Sequence, residues 1–224
     1  MLQLLNIISG GMNMVDSKEV LYADGTRPLT KKEVEQLVQW LGKARTFKAY
    51  QYQTAVLFNV KAGLRVGELC GLTIEELYTA DGLCRQKLYI YQSKNKKKRT
   101  IILPDTTIQL MTTYYVKEKL AKKARTASVF DFNSQAFRKM LRETNERYLG
   151  FTQFSTHSLR KTFANDVFNH VTDGIGEEDT QHNRVARKQG ISIVQGLLQH
   201  SSPEITERYL GKELDFYEFN VNDF

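Results

Sequence analysis

Apolar positions recur with a period of three to four from Thr30 to about Leu72. Thr30-Lys-Lys-Glu33 forms a capping box, and Leu37, Val38 and Leu41 follow as one stripe, which predicts a helix. A second helix is expected over about 47–62, carrying Tyr52, Ala55, Val56, Phe58 and Val60 and stopping at Gly63. A short helix, Val66 to Leu72, comes next, so Arg65 emerges at the junction between helices. The pattern then changes to alternation. Gln86 to Gln92 and Arg99 to Leu103 read as two strands joined by the basic turn Ser93 to Lys98, ending at Pro104. Helical spacing returns over Asp105 to about Lys123 and over Ser134 to Leu149, with Ser134 as the cap. A further helix starts near Thr156. Residues 171–189, with Asp173-Gly-Ile-Gly, read as an irregular excursion, followed by a short apolar helix, Ile191 to Leu198. Ser202-Pro203-Glu204 opens the last helix, with proline at a favoured first position. The expected fold class is mainly α with a small antiparallel β-sheet.

Residues 1–27 lack sustained periodicity and read as a tail or linker remnant, and the tail 212–224 is acidic and aromatic. The 224 residues fit one large domain, or one domain with an appendage, and suffice to bury a substantial core. No apolar run approaches the ~18–20 residues of a membrane-spanning helix. The apolar start has no basic leader and does not read as a secretory signal. Cys70 and Cys84 are in neither metal nor redox spacing, so a reduced, cytoplasmic protein with both thiols in packing roles is expected. The net charge of +7 favours an anionic partner, and its distribution sharpens that reading. Five of the six residues from Lys94 to Arg99 are basic, and Lys117, Lys119, Lys122, Lys123 and Arg125 form a second cluster.

Four segments carry candidate chemistry: Arg65, the basic turn, His157 with Arg160, and His200 with Tyr209 nine residues later. A phosphodiester in a pentacoordinate transition state gathers negative charge on its non-bridging oxygens. Arginine suits that load because its planar fork donates two parallel hydrogen bonds and stays charged. Arg65 and Arg160 therefore qualify as phosphate clamps. A tyrosine hydroxyl has an unperturbed pKa of about 10 and needs a base as it attacks. His157, one helical turn from Arg160, fits that role. An ammonium from the 94–98 turn can protonate the leaving 5′ oxygen, and His200 can donate a hydrogen bond to the phosphate. No metal or other cofactor is required, since every cation in the set is a side chain. Glu68 reads as a support for Arg65 or as a cap. His170 and His182 fall outside these segments and are assigned no role.

Ala-Gly-Leu-Arg-Val-Gly-Glu-Leu (62–69), the basic turn, His-Ser-Leu-Arg-Lys-Thr-Phe-Ala (157–164) and Leu-Leu-Gln-His-Ser-Ser-Pro-Glu-Ile-Thr-Glu-Arg-Tyr (197–209) resemble, in this order, the tyrosine recombinase (phage integrase) family. The resemblance spans residues 28–211 and implies that family's catalytic-domain fold. It also implies roles. Arg65 and Arg160 hold the scissile phosphate, Lys94 is the acid to the 5′ hydroxyl, His157 the base, His200 a hydrogen-bond donor and Tyr209 the nucleophile. Lys94 is chosen for its place five residues before Arg99, with Lys96 as fallback. Lys94, Lys96, Lys97, Lys98 and Arg99 are the expected DNA contacts. The implied activity is site-specific recombination or integration of double-stranded DNA through a 3′-phosphotyrosyl intermediate. It needs neither metal nor ATP, and it implies a homotetramer on DNA, with the 212–224 tail docking on a neighbour. A phage or other mobile element is the implied source.

Three departures from the family pattern stand out. Gln199 occupies the place where glycine commonly precedes the histidine of the last motif. The interval from Arg160 to His200 is longer than usual, which makes 171–189 an insertion. The family's amino-terminal core-binding domain is missing, so the sequence reads as a catalytic fragment or as a short natural form like the fimbrial-switch invertases. Two other classes fit the same residues: a type IB topoisomerase-like relaxing enzyme and a catalytically idle DNA-binding regulator.

Overall fold

The computed structural model describes residues 25–44, 46, 48–91, 98–173, 175 and 180–211. Nine α-helices and one hairpin lie along these residues. They are α1 (Lys31–Lys43), α2 (Ala49–Ala62), α3 (Val66–Gly71), α4 (Ile74–Leu77), β1 (Lys87–Tyr91), β2 (Lys98–Ile102), α5 (Asp105–Lys117), α6 (Ser134–Thr144), α7 (Thr156–Val171), α8 (Gln181–Leu198) and α9 (Pro203–Leu210). The Thr30–Glu33 box caps α1 in both directions, and its stripe of Val34, Leu37, Val38 and Leu41 is buried. The strands pair antiparallel with Leu88 opposite Ile101. Mainly helical with one small antiparallel sheet is the architecture observed. Among the described residues, no helix is long and apolar enough to cross a membrane.

Two apolar cores share α7. Leu159 belongs to the larger one with the buried faces of α1, α2, α5 and the hairpin. Phe163, Ala164 and Phe168 belong to a second one with Ile191, Val194 and Leu198 of α8 and Leu210 of α9, against which Tyr209 packs. Arg160 therefore sits on the helix at the seam.

Several expectations need correction. The helix from Asp105 ends at Lys117, because Lys119 turns left-handed (φ 54°) before a 3-10 turn at Leu120–Lys122. Asn133, not Ser134, caps α6, its side chain accepting the Ala136 N–H at 2.8 Å. After Thr144 the chain continues as a π-turn, Asn145–Leu149, rather than as regular helix. Much of the expected irregular excursion is helical: α8 begins at Gln181 and runs unbroken through Gly190 to Leu198. Gly190 is tolerated there because α8 crosses α7 closely, and a Cβ at Gly190 would lie 3.0 Å from the Phe168 ring. The short α4, capped by Thr73 and Glu76, was not anticipated. Residues 1–24, the turn residues 92–97, residues 174 and 176–179, and the tail 212–224 lie outside the described residues, and with them the expectations placed there.

Both cysteines are free thiols. Burial pushes the Cys84 thiol up to about 12 and raises that of Cys70, consistent with packing roles. Part of the second basic cluster is structural. Lys123 pairs with Asp131 at 2.6 Å, and Arg125 donates to the carbonyls of Tyr78 and Thr79 at 2.9 and 2.7 Å.

Candidate active site

Arg65 is presented by a turn that the sequence dictates. Gly63 adopts a left-handed conformation (φ 60°), and a Cβ there would lie 2.2 Å from the Phe163 ring, so only glycine fits. The Asn59 side chain accepts the Leu64 N–H at 2.9 Å and fixes the exit from α2. Arg65 follows as the residue before α3, its side chain 40% exposed.

Arg160 is placed in the opposite way. It is almost fully buried, donating through Nη1 to the Gly63 carbonyl (2.5 Å) and through Nη2 to the Leu198 carbonyl (2.8 Å). It thereby ties the α2–α3 junction to the end of α8. Burial, with repulsion from Arg99 second, pulls its pKa down to about 10. It therefore remains charged at neutral pH.

Arg65, Arg160 and His157 line one pocket of about 310 Å³ together with Glu68 and Arg138. His157 lies exposed in the first turn of α7, where Ser155 accepts its backbone N–H at 3.1 Å. Arg138, on α6, was missed by sequence reading. Nothing in the local pattern distinguishes it from the other charges on that amphipathic helix.

Glu68 lies beneath these cations. Its carboxylate accepts from the Arg65 backbone N–H (2.8 Å), from Arg65 Nη1 (2.9 Å) and from Arg99 Nη2 (2.5 Å), and lies 3.9 Å from Arg160 Nη1. It fills both roles expected of it, support and cap. Arg99, expected as a DNA contact, instead turns inward. Its side chain is 3% exposed and also donates to the Leu197 carbonyl at 3.0 Å. Burial, with the Glu68 carboxylate opposing it, lowers the Arg99 pKa. Strand alternation accounts for this, since Arg99 and Ile101 share the buried face of β2 while Lys98 faces outward. Lys94, Lys96 and Lys97 lie outside the described residues.

His200 and Tyr209 form a second group behind Arg160. Gln199 is left-handed (φ 54°) at the end of α8, a conformation that favours glycine, and it directs the chain into His200. The His200 and Tyr209 rings meet edge to face at 4.9 Å between centroids. Thr206 Oγ1 lies 3.0 Å from His200 Nδ1. Burial, then the charges of Arg160, Arg65 and Arg99, pulls the His200 pKa down to about 4. The ring is therefore neutral at pH 7. The buried Tyr209 hydroxyl lies within electrostatic reach of Arg160 and Arg99, since it opposes the lowering of both their pKa values. The described candidates thus lie in two adjoining groups, bridged by Arg160. Among the described residues no cluster of metal-ligating side chains occurs.

The fold is that of tyrosine recombinase catalytic domains. XerA recombinase aligns with a TM-score of 0.58 at 20% identity, over 82% of this chain and 59% of that one. XerH site-specific recombinase, in a post-cleavage complex with palindromic difH substrate, gives 0.59 at 17% identity over 84% and 49%. The catalytic domain of bacteriophage HP1 integrase gives 0.50 at 20% identity over 82% and 86%. Among curated sequences, the probable integrase/recombinase YoeC of Bacillus subtilis (strain 168) is 29% identical over 163 residues, 71% of this chain and 76% of that protein. Tyrosine recombinase XerC of Thermodesulfovibrio yellowstonii is 24% identical over 68% of this chain, which spans only 47% of XerC. The profile of the phage integrase family matches residues 27–174, and this chain belongs to that family.

Proposed function

We propose that this chain is the catalytic unit of a site-specific DNA recombinase or integrase that cuts and rejoins double-stranded DNA through a 3′-phosphotyrosyl link. The observation that carries the reading is the position of Arg160, with the Arg65–His157 pocket on one side and the His200–Tyr209 pair within charge reach on the other. Relatives solved with DNA, such as XerH with its difH substrate, support DNA as the partner.

In this scheme Tyr209 Oη attacks the phosphorus while His157 takes the phenolic proton. The bond to the 5′ oxygen breaks, and that oxygen receives a proton from Lys94. Arg65 and Arg160 neutralise the charge that builds on the non-bridging oxygens, and preorganised charge of this kind usually contributes most to catalysis. His200 adds a neutral hydrogen bond from Nε2 when Thr206 donates to Nδ1. A 5′ hydroxyl of a second strand then attacks the phosphotyrosine and restores the phenol. One bond of equal kind replaces another, so the scheme uses neither metal nor ATP. Exchange between two duplexes requires several protomers on DNA, with a tetramer the simplest assembly, and the reaction belongs in the cytoplasm with the DNA.

The test is a nicked suicide duplex carrying the cognate site. The native chain should form a covalent protein–DNA adduct, whereas Tyr209→Phe should bind the duplex and form none. An adduct that persists in Tyr209→Phe removes the nucleophile. Plasmid relaxation without recombinant products would move the protein to the topoisomerase-like class.

A further inference from the structure

Lys161 is 1% exposed and among the largest fully buried side chains of the described residues. Lysine is almost never buried completely unless its charge is met, because desolvating an ammonium costs several kcal/mol. Two partners of Lys161 are defined. Its Nζ donates to the Thr26 carbonyl at 2.7 Å, and it stands 4.9 Å from the centroid of the Tyr209 ring. The next residue, Thr162, accepts the Leu29 N–H at 2.8 Å. The segment entering the domain is therefore fastened to α7 at two successive residues, and one of these also holds a positive charge against the tyrosine.

We propose that Lys161 is a positioning residue for the Tyr209 nucleophile: its buried ammonium seats the phenol ring and favours the phenolate that develops during attack. The inference rests on the proposed phosphotyrosyl chemistry. A desolvated cation attracts the face of a tyrosine ring, and the ring becomes a better partner as negative charge grows on it. Other groups facing Tyr209 are Arg160 from the same helix, Arg99 from β2 and His200 from the turn before α9. His200 is neutral at pH 7, and both arginines are already bonded to backbone carbonyls. Lys161 differs in the direction from which it acts: it addresses the ring, and its Nζ is fixed by the Thr26 carbonyl.

The experiment measures single-turnover adduct formation on the nicked duplex from neutral pH toward the phenol range near 10. Lys161→Gln keeps a donor for the Thr26 carbonyl without the charge, Lys161→Arg keeps the charge, and Thr162→Val loosens the same entering segment without touching Tyr209. Lys161→Gln is expected to slow adduct formation about 10- to 30-fold at neutral pH. Its rate–pH profile should move to higher pH while DNA affinity stays near that of the native chain. Lys161→Arg should recover most of the rate, and Thr162→Val should keep the native profile. An unshifted profile in Lys161→Gln, or equal losses in Lys161→Gln and Thr162→Val at every pH, would overturn the inference in favour of a tether alone. If Lys161→Gln fails to fold, a displaced profile in folded Lys161→Arg overturns the inference as well, and a native profile supports the charge. Absence of an adduct with the native chain would instead remove the parent reading.

Discussion

The Glu68 carboxylate holds the Arg99 guanidinium at 2.5 Å, joining the hairpin to the helix that begins beside Arg65. Through its other oxygen Glu68 also fixes Arg65 at 2.9 Å, so one carboxylate sets the relation between strand β2 and the exposed arginine of the pocket. Buried like charges stay together only where a counter-charge is shared among them.

Glu68→Gln should therefore be costly. Removing one partner of a buried ion pair destabilises by about 3–5 kcal/mol because the remaining charge is uncompensated. The loss is expected toward the lower end, since Arg65 opens to solvent and can relax. Urea unfolding measures it, and a midpoint equal to the native one would show that the arginines tolerate one another without Glu68.

His200 gives the fold a defined acid sensitivity. The unfolded imidazole takes up its proton near 6.5 and the folded one only near 4. Between those values the unfolded state binds more protons, so this contribution to stability is complete above about 6.5 and falls as pH drops toward 4. Thermal melts across that window should show a decline that His200→Gln reduces. An equal decline in the variant would assign the sensitivity to other groups.

Gln199 bears a conformation that suits glycine, at φ 54°, and its buried side-chain oxygen has no hydrogen-bond partner among the described residues. Left-handed geometry costs a non-glycine residue roughly 1–2 kcal/mol, part of which glycine returns through its freer unfolded chain. Gln199→Gly is expected to stabilise by about 0.5–1 kcal/mol in denaturant titrations. A loss of stability would mean that the glutamine side chain makes a contribution larger than its strain.

Lys98 faces outward on β2, whereas Arg99 is enclosed. In DNA binding, log K falls by ~0.9 per phosphate neutralised for each decade of salt. Lys98→Ala should flatten that slope by about one phosphate. An unchanged slope would place Lys98 away from the DNA.

Much of this was legible in the chain because the signals were local. The Thr30–Glu33 box, the stop at Gly63, the alternating strands and Pro203 at the head of the last helix each act within one turn or one hairpin. The inward turn of Arg99 follows from the period-two register it shares with Ile101, yet its place at the end of a basic run makes it read as a DNA contact. The passage of α8 through Gly190 was not legible, because it depends on Phe168, which lies on another helix. The same holds for Lys161, whose partners Thr26 and Tyr209 are far from it in the chain. The His157–Arg160 spacing could be read directly, and the crowding of Arg160, Arg99 and Glu68 behind it only once the hairpin was folded onto α3.

The most direct measurement is mass-spectrometric mapping of the protein–DNA adduct after digestion of both components. One peptide should carry a nucleotide linked by its 3′ phosphate, and the modified residue should be Tyr209. A nucleotide on any other residue, or attachment through a 5′ phosphate, would contradict the proposal that Arg65, His157, Arg160, His200 and Tyr209 act on a single phosphorus.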